Sequence, residues 1–221
     1  MRAALLLVLS ATLASQLQPH ASPATHPDLR VTRTLNGARL RFGGIAAPSM
    51  QLFVVGGAGL RVFRHERLER QSDGSFAADV ALADAGLYMS FAEFVPVNGW
   101  PQLAQRAFIT GSALAPRPGE PVDEPHESDG VSATIDLSHV SAGVESTLAF
   151  DLSDASPGPP AEAFIASADL TDGLHLVAQD ASQGAHVVFS PIFPRRGRYK
   201  VWLIVQRSGH AATIPFVIDV N

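Results

Sequence analysis

Histidines are the residues of this chain best placed to do chemistry, because it holds eight of them and no cysteine. Neutral imidazole is a common ligand for copper and zinc. The pair of interest is His65, two residues after Phe63, and His175, two residues before Val177, each in the strand that follows the first hairpin of its half. Two histidines two apart on a strand share a face and can chelate one cation. Phe63-Arg64-His65-Glu66-Arg67-Leu68 instead puts Arg67 at the second ligand position. His186 is the third candidate, able to approach His175 if their strands are neighbours. The expected metal site, for copper or zinc, is therefore His65, His175 and His186. The opposing reading is a set of histidines that are only hydrogen-bonded within strands.

Other chemistries are thinner. Without cysteine there are no thiolate zinc sites, iron–sulfur clusters or blue-copper ligand sets. Beyond Met1 only Met50 and Met89 offer thioethers, too few for a soft copper(I) store. Asp169, Asp172 and Asp180 lack the alternating carboxylates of a calcium loop, and Asp169-Leu170-Thr171-Asp172-Gly173 reads as a turn. Glu93 stands between Phe91-Ala92 and Phe94-Val95. Burial would raise its pKa, but strand alternation favours an exposed edge. No G-x-S-x-G elbow, H-E-x-x-H pair or phosphate-binding glycine loop occurs. No catalytic residue is assigned, and the chain is expected not to be an enzyme.

The elements that would position these groups are strands. Asn36-Gly37, Asp73-Gly74, Asn98-Gly99, Asp172-Gly173 and Ser208-Gly209 each separate apolar stretches, as tight hairpin turns do. Ile214, Phe216, Ile218 and Val220 alternate with Thr213, Pro215, Val217 and Asp219, a period of two. The same order of features occurs twice. Gly86 and Tyr88 recur as Gly197 and Tyr199, each 111 residues on, and Gln51-Leu52-Phe53-Val54-Val55 recurs as Glu162-Ala163-Phe164-Ile165-Ala166. Leu60-Arg61-Val62-Phe63 is matched to Leu174-His175-Leu176-Val177. The expected fold is all-β, with two tandem immunoglobulin-like β-sandwiches of seven strands each. Residues 30–112 form the first domain and 129–221 the second. Between them, 113–128 form a Pro-rich linker with acidic residues, expected to be an extended spacer. Tyr88 and Tyr199 stand where a tyrosine corner or a plain core aromatic would.

Compartment follows from the first residues. Arg2, the apolar run Ala3–Leu13 and the small residues Thr12 and Ala14 read as a signal peptide over 1–14, with a second cut as late as 24. The run is too short to span a bilayer, so no membrane span is expected in the mature chain, which would be periplasmic or secreted. A net charge of −5, one lysine and scattered arginines argue against nucleic acid as partner.

Leu52-Phe53-Val54-Val55, Phe63-Arg64-His65, Asp73-Gly74-Ser75-Phe76, Gly86-Leu87-Tyr88 and Phe94-Val95-Pro96 resemble a bacterial family of exported tandem sandwich proteins. Phe193-Pro194-Arg195-Arg196-Gly197-Arg198-Tyr199-Lys200-Val201-Trp202 and Thr213-Ile214-Pro215-Phe216-Val217 are similar to its second unit. The family is similar in appearance to YtkA-like and copper-associated periplasmic domains. The resemblance implies a histidine before the Leu52–Val55 strand and an H-x-H-P stretch. Here Gln51, Arg67 and Leu68 stand at the first histidine, the second histidine of the pair and the proline. Two functions follow as expectations. One is an exported, non-catalytic binding or scaffold protein meeting a protein or small ligand between its sandwiches. The other is a periplasmic copper- or zinc-handling protein with a degenerate histidine site.

Overall fold

The computed structural model describes residues 27–82, 85–111, 119–138, 140–153, 159–178, 185–207 and 210–221. The signal-peptide expectation, Ser208-Gly209, Asp180, His20, His26, His139 and residues 112–118 lie outside them.

Seven strands build the first half: β1 (Asp28–Thr34), β2 (Gly37–Gly43), β3 (Ser49–Gly56), β4 (Val62–Glu69), β5 (Phe76–Ala81), β6 (Gly86–Phe94) and β7 (Gln102–Thr110). They form two antiparallel sheets, β1-β2-β5 and β4-β3-β6-β7. The second half repeats the plan with β8 (Glu127–Ser128), β9 (Val131–Asp136), β10 (Leu148–Leu152), β11 (Glu162–Ser167), β12 (Gly173–Val177), β13 (His186–Phe189), β14 (Gly197–Arg207) and β15 (His210–Val220). Its sheets are β13-β10-β9-β8 and β12-β11-β14-β15. The expected seven strands thus become eight, by the two-residue β8. The fold is all-β, two tandem immunoglobulin-like sandwiches. Among the described residues the one helical piece is a 3₁₀ turn at Ala58–Leu60.

The continuous apolar runs have a physical reason. Residues alternate across a strand, so a run without polar interruption must be covered on both faces. Leu52 and Val54 of β3 point into the first sandwich with Phe42, Phe76 and Tyr88. Ala163 and Ile165 of β11 point into the second with Phe150, Val201 and Phe216. The intervening Phe53, Val55, Phe164 and Ala166 turn the other way and meet one another, with Phe63, Phe91, Trp202 and Ile204, in a third apolar core. The β4-β3-β6-β7 and β12-β11-β14-β15 sheets therefore pack outer face to outer face, and their own aromatic side chains fill the centre of the join.

Register corrects one part of the repeat. Phe53 pairs with His65 in β3–β4, and Phe164 pairs with His175 in β11–β12. With Phe53 and Phe164 equivalent, His65 and His175 are equivalent too, and Phe63 corresponds to Gly173. The match of Leu60–Phe63 to Leu174–Val177 is therefore out of step, because short apolar runs align by chance and the hairpin before β12 is one residue shorter.

Tyr199 is a tyrosine corner: its hydroxyl donates to the Arg195 carbonyl at 3.0 Å and pins the turn that enters β14. Tyr88 packs against Phe108, with ring centroids 5.6 Å apart. Tyr199→Phe is expected to lower unfolding free energy by about 1 kcal/mol, read as a lower urea midpoint at unchanged m-value.

Beyond β7 the chain docks rather than spans. The Val122 amide donates to the Gly59 carbonyl at 3.0 Å. Gly59 has φ +66°, and a Cβ there would fall 2.5 Å from Val122 Cγ2, so glycine is required on both counts. From the second sandwich Lys200, the chain's one lysine, is 0% exposed and donates to the Val122 carbonyl at 3.0 Å and to the Glu124 carboxylate. Trp202 lies beneath the ammonium, 5.8 Å to the ring centre.

Candidate functional site: a charged histidine cluster between the sandwiches

The third core is built around aromatic pairs. Phe53 and Phe164, the equivalent residues, stack with centroids 4.3 Å apart. Phe63 stacks on Trp202 at 4.7 Å. The repeat-related position to Phe63 is Gly173, and a Cβ there would meet Phe91 at 2.5 Å. A large residue on one side and none on the other makes the join asymmetric, which lets Phe91 lie against Phe164 at 5.2 Å.

His65 and His175 flank the Phe53–Phe164 pair. Both rings rest on Phe53, at 4.5 and 4.8 Å, with 6.4 Å between the two imidazoles. The structure thus brings His65 and His175 together. It does not bring His186, which lies on β13 in the outer sheet and hydrogen-bonds Asp151 at 2.7 Å. β13 pairs with β10, whereas β12 pairs with β11, so the two strands belong to different sheets.

The equivalent histidines hold different protonation states. His65 Nε2 hydrogen-bonds the Gln51 side-chain oxygen at 2.8 Å. Burial is the main influence and lowers its pKa to about 4, with nearby His175 and Arg67 adding to the effect against Glu162 and Glu93. His175 is also desolvated, with 4% of its side chain exposed. Yet its Nδ1 donates to Glu93 at 2.5 Å and its Nε2 to Glu162 at 3.3 Å. Those two carboxylates outweigh the burial and raise it to about 9. Glu162 resists its own burial through His175 and Arg67, and stays ionised below the usual range. Arg67, on the rim, pairs with the other Glu162 oxygen.

Glu93 is accordingly not at a free edge. It is half-buried and crosses from the first sandwich to His175 of the second. Glu162 carries no motif, and only the repeat points to it, as the partner of Gln51. That exchange of amide for carboxylate, together with Glu93 on the other ring nitrogen, separates a neutral histidine from a charged one.

Chemically the cluster holds a proton firmly and balances two cations with two anions. Both His175 ring nitrogens face carboxylates, so a metal would have to displace that proton. Among the described residues no group of three or more His, Asp or Glu is arranged to hold a metal. Beside the cluster, a cleft of about 410 Å³ opens between β4 and β15, lined by Arg61, Phe63, Arg64, Trp202, Thr213 and Pro215 among others. No described helix is long and apolar enough to cross a membrane.

Residues 126–221 match the family model of a domain of unknown function, DUF8832. No curated protein matches the chain. Among solved structures it is similar to a tetra-tandem repeat from the extending region of a large adhesion protein, at 13% identity and a TM-score of 0.34, covering 90% of this chain and 50% of that one. It is similar to a two-domain fibronectin type III segment of chicken tenascin, at 15% identity and 0.29, over 88% and 99%. Red sea bream transglutaminase is a third, at 9% identity and 0.27, over 90% and 32%. The chain spans about half the length of the adhesion-protein structure.

Proposed function

We propose that this is an exported, non-catalytic binding or scaffold protein whose two sandwiches act as one stiff body. The aromatic core shared by their outer faces carries the reading. A tether alone would leave the domains free to reorient, whereas Phe53, Phe63, Phe91, Phe164 and Trp202 are buried only while the sheets stay together. Burying such aromatics stabilises the contact by roughly 1.5–3 kcal/mol each as an upper range. The chemistry at the join supports the same role, since a histidine held between two carboxylates fixes orientation and offers no open ligand position. The cleft beside β4 and β15 is a place for a small ligand or a partner side chain. The basic, apolar and small residues of 1–14 support export.

Backbone ¹⁵N relaxation tests the reading. One rotational tensor for both halves is the expected result, and separate correlation times would overturn it. Titration with zinc and copper(II) addresses the metal-handling alternative. No binding tighter than micromolar is expected, while tighter binding abolished by His65→Ala or His175→Ala would favour that alternative.

A further inference from the structure

Exposed sheet edges invite another strand, and proteins blunt them with charge, proline, shortness or cover. This chain does so at most of its edges. β4 carries Arg64, Glu66, Arg67 and Glu69; β15 holds Pro215; β12, β13 and β8 are five, four and two residues long. β1 bears Asp28, Arg30 and Arg33, and the β5 edge is capped where Arg64 donates to the Ala81 carbonyl at 3.0 Å. β7 is different. It is nine residues long, holds no proline and one charge, and pairs with β6 residue for residue without a bulge. No strand pairs with its far side among the described residues, and β1 reaches it only past the end of the strand, where Arg33 donates to the Gly111 carbonyl.

Two hydrogen bonds define which groups face outward. Ser90 Oγ on β6 donates to the Arg106 carbonyl at 3.0 Å, so that carbonyl faces β6. The Gln105 carbonyl instead receives the Arg106 guanidinium at 3.0 Å, away from β6. By alternation Leu103, Gln105, Ala107 and Ile109 direct their peptide groups off the edge. Leu103 and Ile109 are also exposed, at 39% and 45%.

We propose that the β7 edge pairs antiparallel with β7 of a second copy of this chain, centred on Arg106. In that register Leu103 faces Ile109 of the partner, and Gln105 faces Ala107, at both ends of a two-fold axis. Every outward peptide group from 103 to 109 then meets its complement, the partner amide replacing the Arg106 guanidinium on the Gln105 carbonyl, and each exposed apolar residue covers another. The partner strand extends the sheet whose outer face already forms the join between sandwiches, so the new surface continues an existing one. Gln105, whose side chain donates to the Thr171 carbonyl at 3.2 Å, holds β7 against the second sandwich. The isologous arrangement closes on itself and cannot grow into a fibre through this edge.

Sedimentation velocity across protein concentrations tests the pairing. A monomer–dimer equilibrium is expected, weakened at least tenfold in Leu103→Lys/Ile109→Lys. Arg106 opposes itself across the axis, so Arg106→Gln is expected to tighten the dimer severalfold. The cysteine-free chain allows a clean geometric check, because a non-hydrogen-bonded pair brings Cα atoms to about 4.5 Å, within disulfide reach. Arg106→Cys is expected to give an oxidised dimer on gels, and Glu66→Cys on the β4 edge is not. A chain that stays monomeric to millimolar concentration, including one that pairs only with a strand of another protein, overturns the proposal. So does a dimer that ignores the lysine variant and does not cross-link at 106.

Discussion

Phe164→Ala is expected to destabilise the whole chain by about 3–5 kcal/mol, at the upper end for a core truncation. Phe164 is 0% exposed and touches four other rings, Phe53 at 4.3 Å, Phe91 at 5.2 Å, Phe63 at 5.9 Å and Trp202 at 6.4 Å. β11 is held on both sides, by β12 and β14, so the backbone cannot collapse into the void. Urea unfolding followed by tryptophan fluorescence reads the effect, since Trp202 lines the same core. The second readout is ¹⁵N relaxation of the native variant, in which the two halves are expected to tumble more independently. A loss below about 1 kcal/mol, the size of an ordinary surface change, would mean that the sheets touch without depending on each other. The join would then be incidental, and the stiff-body reading would fall with it.

Much of this arrangement is legible in the sequence, and the gaps have identifiable causes. Turn pairs and period-two alternation reveal strands because both are local. The Leu52–Val55 and Ala163–Ala166 runs carry a further signal, since an unbroken apolar strand needs cover on two faces. What covers the second face depends on how the linker folds back, and Val122 on Gly59 is a single contact without a pattern. Proline and acidic residues therefore suggest a spacer, although Val122 to Glu124 lies against both sandwiches, on Gly59 of the first and Lys200 of the second. The histidines stand out in the sequence as candidates, but their partners do not. Glu93 looks like an edge residue when only its own strand is considered, and Glu162 belongs to no motif. Both acquire meaning only when His175 is placed between them by register and by the packing of one sheet on another. His186 is no partner for the complementary reason: nearness in sequence does not decide which sheet a strand joins.

The charge held on His175 predicts a dome-shaped dependence of stability on pH. Its folded pKa, about 9, lies above the ordinary 6.5. Its contribution is therefore fully present below pH 6.5 and is lost as pH rises through 9. That interval corresponds to on the order of 3 kcal/mol. His65 works in the opposite sense, because its folded pKa, about 4, lies below 6.5. The unfolded chain takes up that proton first, so stability falls as pH drops from 6.5 through 4. Glu162, held ionised below its usual range, adds to the acid-side loss. Maximum stability is expected near pH 6.5, measured by urea unfolding from pH 4 to 10. The groups facing His175 are Glu93 on β6, Glu162 on β11 and His65 on β4, with Arg67 acting through Glu162, so variants can isolate each limb. His175→Gln removes the cation facing Glu93 and leaves Glu162 with Arg67 alone, is expected to cost about 3 kcal/mol at neutral pH, and should flatten the alkaline limb. Glu162→Gln reproduces at His175 the amide that faces His65. It should lower the His175 titration seen by NMR while leaving the alkaline limb shorter rather than absent, because Glu93 remains. An alkaline limb unchanged in both variants would show that the proton on His175 does not hold the two sandwiches together.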